Sequence, residues 1–475
     1  MVTFPSPRKC AALTVALTLI VTLGACQKGD TSATAPAAPE AAPTATPAPS
    51  PATPNSFAEV TAQLDPGGEL YLYLSTEQWL AGLSHGVDTL HDLVLASTGG
   101  ALSANVDEVN KGFAVAKDMI QKSGVQEVSG VGISSFNYAP GLYRNKLFVH
   151  HYAGNGTGLL WSLYGKTPHP LTGLDLLPVD TAVGGTGDFD IAQLINFLRQ
   201  EAAQSGIPEF KQAVDQWQTQ FAGISGLQLD DVLNSLSGSI GSVLTLDASN
   251  NVSIPFGPVP ETIPAPRLAI LIGVKNDLVF KQVDKMLAST PGIIKTEEPG
   301  LSMRTFPVPF ILPNLNLRPS VAQWNGYLVI ASDDRLIRDI IAVQKGAPGF
   351  KSTPEYATLS AGLPDQGTGF SVISQRFVDT FYQIQTTMQT AGPAAQSQVM
   401  ARFINNHRSM GHQVAVATVL PNGILSVCQG SQGSTQMITP LIMAPIAMAA
   451  GTAMPWIQMA HKQQAPATPP FSPAP

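Results

Sequence analysis

The chain has 475 residues, of which 44% are apolar and only 12% charged, and 26 basic residues face 33 acidic ones for a net charge of −7. A mildly acidic chain with no Lys/Arg cluster argues against nucleic acid as a partner and against a polybasic patch for anionic lipid. The length suffices for two or three domains' worth of core, and 42 glycines with 39 prolines read as globular with long loops.

Residues 1–25 read as an export signal. Arg8 and Lys9 form a basic start, and the uncharged AALTVALTLIVTL (11–23) that follows is too short to span a bilayer. It ends in Leu23-Gly24-Ala25-Cys26, which resembles the bacterial lipobox. The resemblance implies cleavage before Cys26, which then carries a thioether-linked diacylglycerol and an amide-linked third acyl chain. Several chains on one residue make attachment durable, where one chain binds only marginally. Gln27, in place of the Asp that favours inner-membrane retention, points to the outer membrane, with the protein facing the periplasm or the cell surface.

Residues 26–55 are the lipidated cysteine and a tether of Ala, Pro, Thr and Ser with too little apolar bulk to pack. Its prolines favour extended polyproline II, giving a reach of up to roughly 80–90 Å. Of the three cysteines, Cys10 leaves with the signal and Cys26 is acylated, so Cys428 stands alone. No intrachain disulfide and no cysteine-based metal cage is expected, and Cys428, in the strand-like GILSVCQG, reads as a small buried hydrophobe.

A first α+β lobe is expected over 56–177 and a second over 178–363, with a closing strand–helix–hairpin over 364–435. The boundaries follow an internal repeat. TPHPLTGLDLLP (167–178) and TPEYATLSAGLP (353–364) share Thr, Pro, Thr, Leu and Pro at identical spacing, and LDPGGELYLYLSTEQWLAGL (64–83) aligns on Pro66. Ten residues after the aligned proline come Thr76, Asp188 and Ser374, all good helix N-caps. The apolar pairs Trp79/Leu83, Ile191/Ile195 and Phe377/Phe381 then mark the inward face of a helix. FKQAVDQWQTQFAGI and LVFKQVDKMLAST have helical period; SIGSVLTLD, RLAILIGV and QVAVATVLPNGILSVC read as strands, the last a hairpin turned at Pro421-Asn422-Gly423. The fold class is therefore α+β, antiparallel or mixed sheets with flanking helices, in two internally repeated lobes.

Leu177-Pro178-Val179-Asp180-Thr181, the turn-and-strand run Asn325-Gly326 to Ser332, and the stretch Leu229 to Gly241 are similar to motifs of an uncharacterised family of secreted or anchored bacterial proteins, a domain of unknown function. The resemblance spans most of 57–430. It implies no established activity, and so transfers none.

Chemical motifs are sparse. Gly82-Leu83-Ser84-His85-Gly86 fits the G-x-S-x-G of a nucleophile elbow, but Ser84 falls well inside a helix instead of directly after a parallel strand, so a polar helix residue is expected. GNGTG (154–158) lacks the third glycine of a dinucleotide loop and reads as a turn. His150 and His151 alternate on a strand and point to opposite faces. The pairs Asp188/Asp190, Asp230/Asp231 and Asp333/Asp334 sit where helices begin, where carboxylates cap free N–H groups. No metal site, cofactor or catalytic set is expected.

Residues 436–461 are apolar, rich in Met and interrupted by Pro440, Pro445 and Pro455, and read as a kinked packed helix or a membrane-inserted segment. The tail 462–475 reads as disordered. These features give a lipid-anchored envelope protein with a structural or binding role, its membrane contact through Cys26 and its partner a protein or a hydrophobic ligand. The alternatives are a periplasmic carrier of a hydrophobic ligand and, ranked last, a serine hydrolase through Ser84.

Overall fold

A computed structural model describes residues 55–97, 106–254, 261–306, 317–390 and 410–434. The readings of the signal, Cys26, the tether, the 436–461 segment and the tail lie outside these residues.

Three times the chain runs strand, helix, hairpin. After a short helix α1 (Phe57–Thr61), the first unit is strand β1 (Leu70–Ser75), helices α2 (Glu77–Ala81), α3 (Leu83–Ser97) and α4 (Val106–Ser123), and hairpin β2 (Gly130–Ala139) with β3 (Leu142–His150). Then come α5 (Leu159–Ser162), the two-residue strand β4 (His169–Pro170) and a 3₁₀ turn, Thr172–Leu176. The second unit is β5 (Thr181–Asp188), helices α6 (Ile191–Gln204), α7 (Pro208–Ser225) and α8 (Leu229–Ser235), and the long hairpin β6 (Leu236–Ile254) with β7 (Glu261–Val274). An extension follows: α9 (Leu278–Leu287), β8 (Ile294–Glu298), β9 (Leu301–Thr305), β10 (Ser320–Trp324), β11 (Tyr327–Ala331), α10 (Asp334–Gln344), α11 (Pro354–Ser360) and β12 (Gln366–Gly367). The third unit is β13 (Gly369–Ile373), α12 (Gln375–Thr390), β14 (Gln413–Leu420) and β15 (Gly423–Gly430).

The fold is α+β, with one 13-stranded antiparallel sheet in the order β1-β2-β3-β15-β14-β13-β5-β6-β7-β11-β10-β9-β8. Strands of both expected lobes belong to this sheet, so the lobes are not separate layers. The closing unit lies between them: β15 pairs with β3 and β13 with β5. Without it both strands would present bare edges, and unpaired backbone is what a sheet must cover.

One face of the sheet holds the main core. Leu336, Ile337, Ile340 and Ile341 of α10 lie at helical spacing and bury against Val243, Leu271 and Val329, all nearly inaccessible. The family-like motifs have structural jobs here. Leu177 is fully buried, Thr181 donates its hydroxyl to the Pro178 carbonyl at 2.6 Å, and Asp180 accepts from Arg267 at 2.8 Å. Asn325 and Gly326 both have positive φ, 46° and 77°, the tight hairpin turn between β10 and β11 that an Asn-Gly pair favours.

The expected caps need correction. Asp190, not Asp188, caps α6, accepting from Gln193 N at 2.9 Å, whereas Asp188 ends β5 and meets His169. Thr76 and Ser374 do stand at helix N-cap positions, but their hydroxyls donate to the carbonyls of Val128 and Ala182. Trp79 is 55% exposed; the inward residue of α2 is Leu80, because the chain ends that helix at Ala81 and restarts it as α3. Asp333 does cap α10, through Arg335 N at 2.8 Å, and Asp230 and Asp231 lie in the first turn of α8.

Candidate functional site: a cavity between two repeated segments

The two repeated proline segments meet in space. β4, inside the first, pairs with β12, which follows the second, through Pro170–Gln366 and His169–Gly367. Between them lies a cavity of about 310 Å³ on the core face of the sheet. Phe370, Val414 and Val416 form its floor, and Leu171, Leu174 and Leu363 its walls. Its mouth is charged: Lys351 Nζ donates to Asp175 Oδ1 at 3.1 Å, and Asp365 stands beside them. Beside the cavity, His169 Nε2 lies 3.2 Å from both oxygens of Asp188. The Pro170 carbonyl at its Nδ1, and then the Asp188 carboxylate, hold His169 above the ordinary histidine range.

An engineered cavity of about 150 Å³ holds a benzene ring, so this volume admits about two such rings or a short aliphatic chain. Apolar walls with a few polar groups at the mouth are the usual makeup of a small-molecule pocket. Its lining offers apolar contacts within and the Lys351–Asp175 pair at its mouth.

Ser84 is placed elsewhere. It is the second residue of α3, and its hydroxyl accepts from Gln126 Nε2 at 3.0 Å. The preceding element is helix α2, so the strand-to-helix elbow that projects a nucleophile is missing.

His150 and His151 are both buried. His151 stacks edge-on against Trp161, with ring centroids 4.4 Å apart. His150 joins a chain of hydrogen bonds that sequence reading missed: Ser129 Oγ lies 2.6 Å from its Nδ1, and Glu59 Oε2 lies 2.9 Å from its Nε2. The order serine, histidine, carboxylate resembles a hydrolytic triad. However, Ser129 is only 4% exposed and lies beneath Ser56, whose hydroxyl donates to the Ser129 carbonyl at 2.8 Å. The arrangement therefore fastens α1 to β3 and to the residue that precedes β2. Its members come from three separated segments, which no local spacing reveals. His150, and then Asn422, hold the Glu59 carboxyl below its usual range.

The GNGTG loop does cradle an anion, and the anion is the chain's own. Glu127 accepts from Thr157 N, Thr157 Oγ1 and Gly158 N at 2.7–3.3 Å. Burial would raise this carboxyl, but those donors hold it below the usual range. Gly158 is there because its α-carbon touches Gly124, where a β-carbon would collide with backbone. Gly158→Ala is expected to cost at least about 2 kcal/mol, read as a lower urea midpoint at unchanged m-value.

Among the described residues, no cluster of three or more His, Cys, Asp or Glu side chains is arranged to hold a metal ion. Cys428 is half-buried on β15, and burial pushes its thiol up to about 12. No protein-family model matches the chain, and neither curated proteins nor solved structures give a significant match.

Proposed function

We propose that the protein is a lipid-anchored envelope protein with a non-catalytic binding role, presenting a small apolar-ligand site on a stalk. The observation that carries the binding role is the cavity between the repeated segments, apolar within and charged at its mouth. The anchor rests on Leu23-Gly24-Ala25-Cys26, and the stalk on the Ala/Pro-rich stretch that ends where α1 begins. Motifs similar to those of an uncharacterised secreted or anchored family support the same setting. A ligand here is held by shape and by burial of apolar area, and the Lys351–Asp175 pair orients its polar end.

Two measurements test the two halves of this reading. In a bacterial host, the wild-type chain should incorporate labelled palmitate and Cys26→Ala should not; equal labelling of the two would reject the anchor. The full chain carrying Cys26→Ala, purified without detergent, should show by native mass spectrometry an added mass that organic solvent removes. Leu363→Trp, which fills the cavity from one wall, should abolish it. A bare mass in every preparation, or an adduct that Leu363→Trp leaves in place, would reject the binding site.

A further inference from the structure

Among the described residues, the second face of the sheet is open across its middle. Leu72 of β1 and Leu147 of β3 lie at one end of it, and Leu268 and Ile270 of β7 and Ile330 of β11 at the other, all between 39 and 46% exposed. The register puts them on the same face: Leu72 and Leu147 flank Ile133, and Ile270 pairs directly with Ile330. Between the two ends the floor is small, with Ala417 of β14 and Gly187 of β5 in the same cross-strand row as Leu147. Exposed aliphatic side chains at both ends of one sheet face, with a floor of Ser426, Ala417, Gly369 and Gly187 between them, mark a surface made to be covered.

The described chain ends on this face. Ser434 N donates to Asn145 Oδ1 at 2.9 Å and to Ser135 Oγ at 3.1 Å, and its hydroxyl donates to Asn145 Oδ1 at 2.9 Å. Asn145 and Ser135 lie two residues along β3 and β2 from Leu147 and Ile133, on the same face. The segment that follows, 437–460, has no Asp, Glu, Lys or Arg. The last described residue thus lies beside the exposed aliphatic end of this face, and the segment that follows it in the chain carries matching chemistry.

We propose that 437–460 packs across this open face as an intramolecular cover. Its length fits. From β3 to β11 is seven strand spacings, roughly 34 Å. A segment of this length reaches about 36 Å even as a helix, and further if extended. Its methionines adapt to a floor that alternates small and branched side chains. On this reading Cys26 alone anchors the protein, and the apolar segment is a part of the fold. The inference does not depend on the cavity, which lies on the other face.

Disulfide trapping in the full, envelope-bound chain tests it. In a Cys428→Ser background, Leu147→Cys is paired in turn with Met443→Cys, Met448→Cys or Met454→Cys and oxidised with copper phenanthroline. Leu147 is exposed, so its replacement is tolerated. At least one pair should give an intrachain disulfide in most molecules, while Lys146→Cys, on the opposite face, gives several-fold less with every partner. Disulfides formed only between two chains would overturn the proposal in favour of a second copy. Labelling of 437–460 by a bilayer-partitioned diazirine, without any intrachain disulfide, would overturn it in favour of membrane insertion. As a second readout, a chain ending at Thr435 should bind several-fold more anilinonaphthalene sulfonate than the full chain, and equal binding would contradict the cover.

Discussion

Phe148→Ala is expected to lower the stability of the folded chain by about 3–5 kcal/mol, the range for emptying a fully buried aromatic site. Phe148 is inaccessible to solvent and forms a cluster with Val60 of α1 and Leu64 just after it. Leu420 and Leu425, from the hairpin of the closing unit, pack on the same cluster. The substitution therefore loosens α1 from the sheet as well as weakening the sheet's own packing. Thermal melts should show the fall in stability, and limited proteolysis should show faster cutting near Phe57. Cutting at the wild-type rate would mean that the hydrogen bonds from Ser56 and Glu59 hold α1 without this cluster.

The second large effect concerns Arg304, which is 4% exposed on β9. It donates to Asp284 of α9 at 2.6 Å, pairs also with Glu297, and lies over the Phe280 ring at 5.2 Å. The Arg304 hydrogen bond holds Asp284 down to about 2, against burial acting the other way. A carboxyl whose folded value is depressed stabilises the fold above its ordinary range, and that contribution disappears as pH falls through about 4 towards 2. With its partial exposure taken into account, this contribution is about 1–2 kcal/mol. Asp284→Asn should flatten that part of the stability–pH profile in urea melts. Asp284→Ala should cost about 3 kcal/mol at neutral pH, because it leaves a buried guanidinium with Glu297 alone. A profile of unchanged shape in Asp284→Asn would assign the acid sensitivity to other carboxylates, Glu59 and Glu127 first.

Local pattern revealed much of the fold. The Asn325-Gly326 turn, the hairpin after Leu420, strand β7 and helices α7 and α9 could be read from period and turn chemistry, since each depends on residues within a few positions of one another. Recurrence of the proline segments raised the expectation of a reused strand–helix unit. It did not show that the third copy would sit between the other two, because strand order depends on which distant edges find partners. Asp190 replaced Asp188 as a cap for a local reason: β1 and β13 end nine residues after the aligned proline, but β5 ends ten after, at Asp188 itself, whose carboxylate was taken up by His169.

The candidate site divides in the same way. The segments 167–178 and 353–364 stood out in the sequence, but the cavity between them exists only because β4 and β12 pair over the floor of β13 and β14. The Ser129–His150–Glu59 chain and the filling of the GNGTG loop by Glu127 had no sequence signal, being contacts between side chains tens of residues apart. By itself the sequence determined the α+β class, the periodic helices and strands, and the expectation of an anchored, stalked protein, since these follow from composition and near-neighbour spacing. Only the tertiary structure decided the shared 13-stranded sheet, the cavity and the open apolar face, because each requires residues far apart in the chain to be brought to one place.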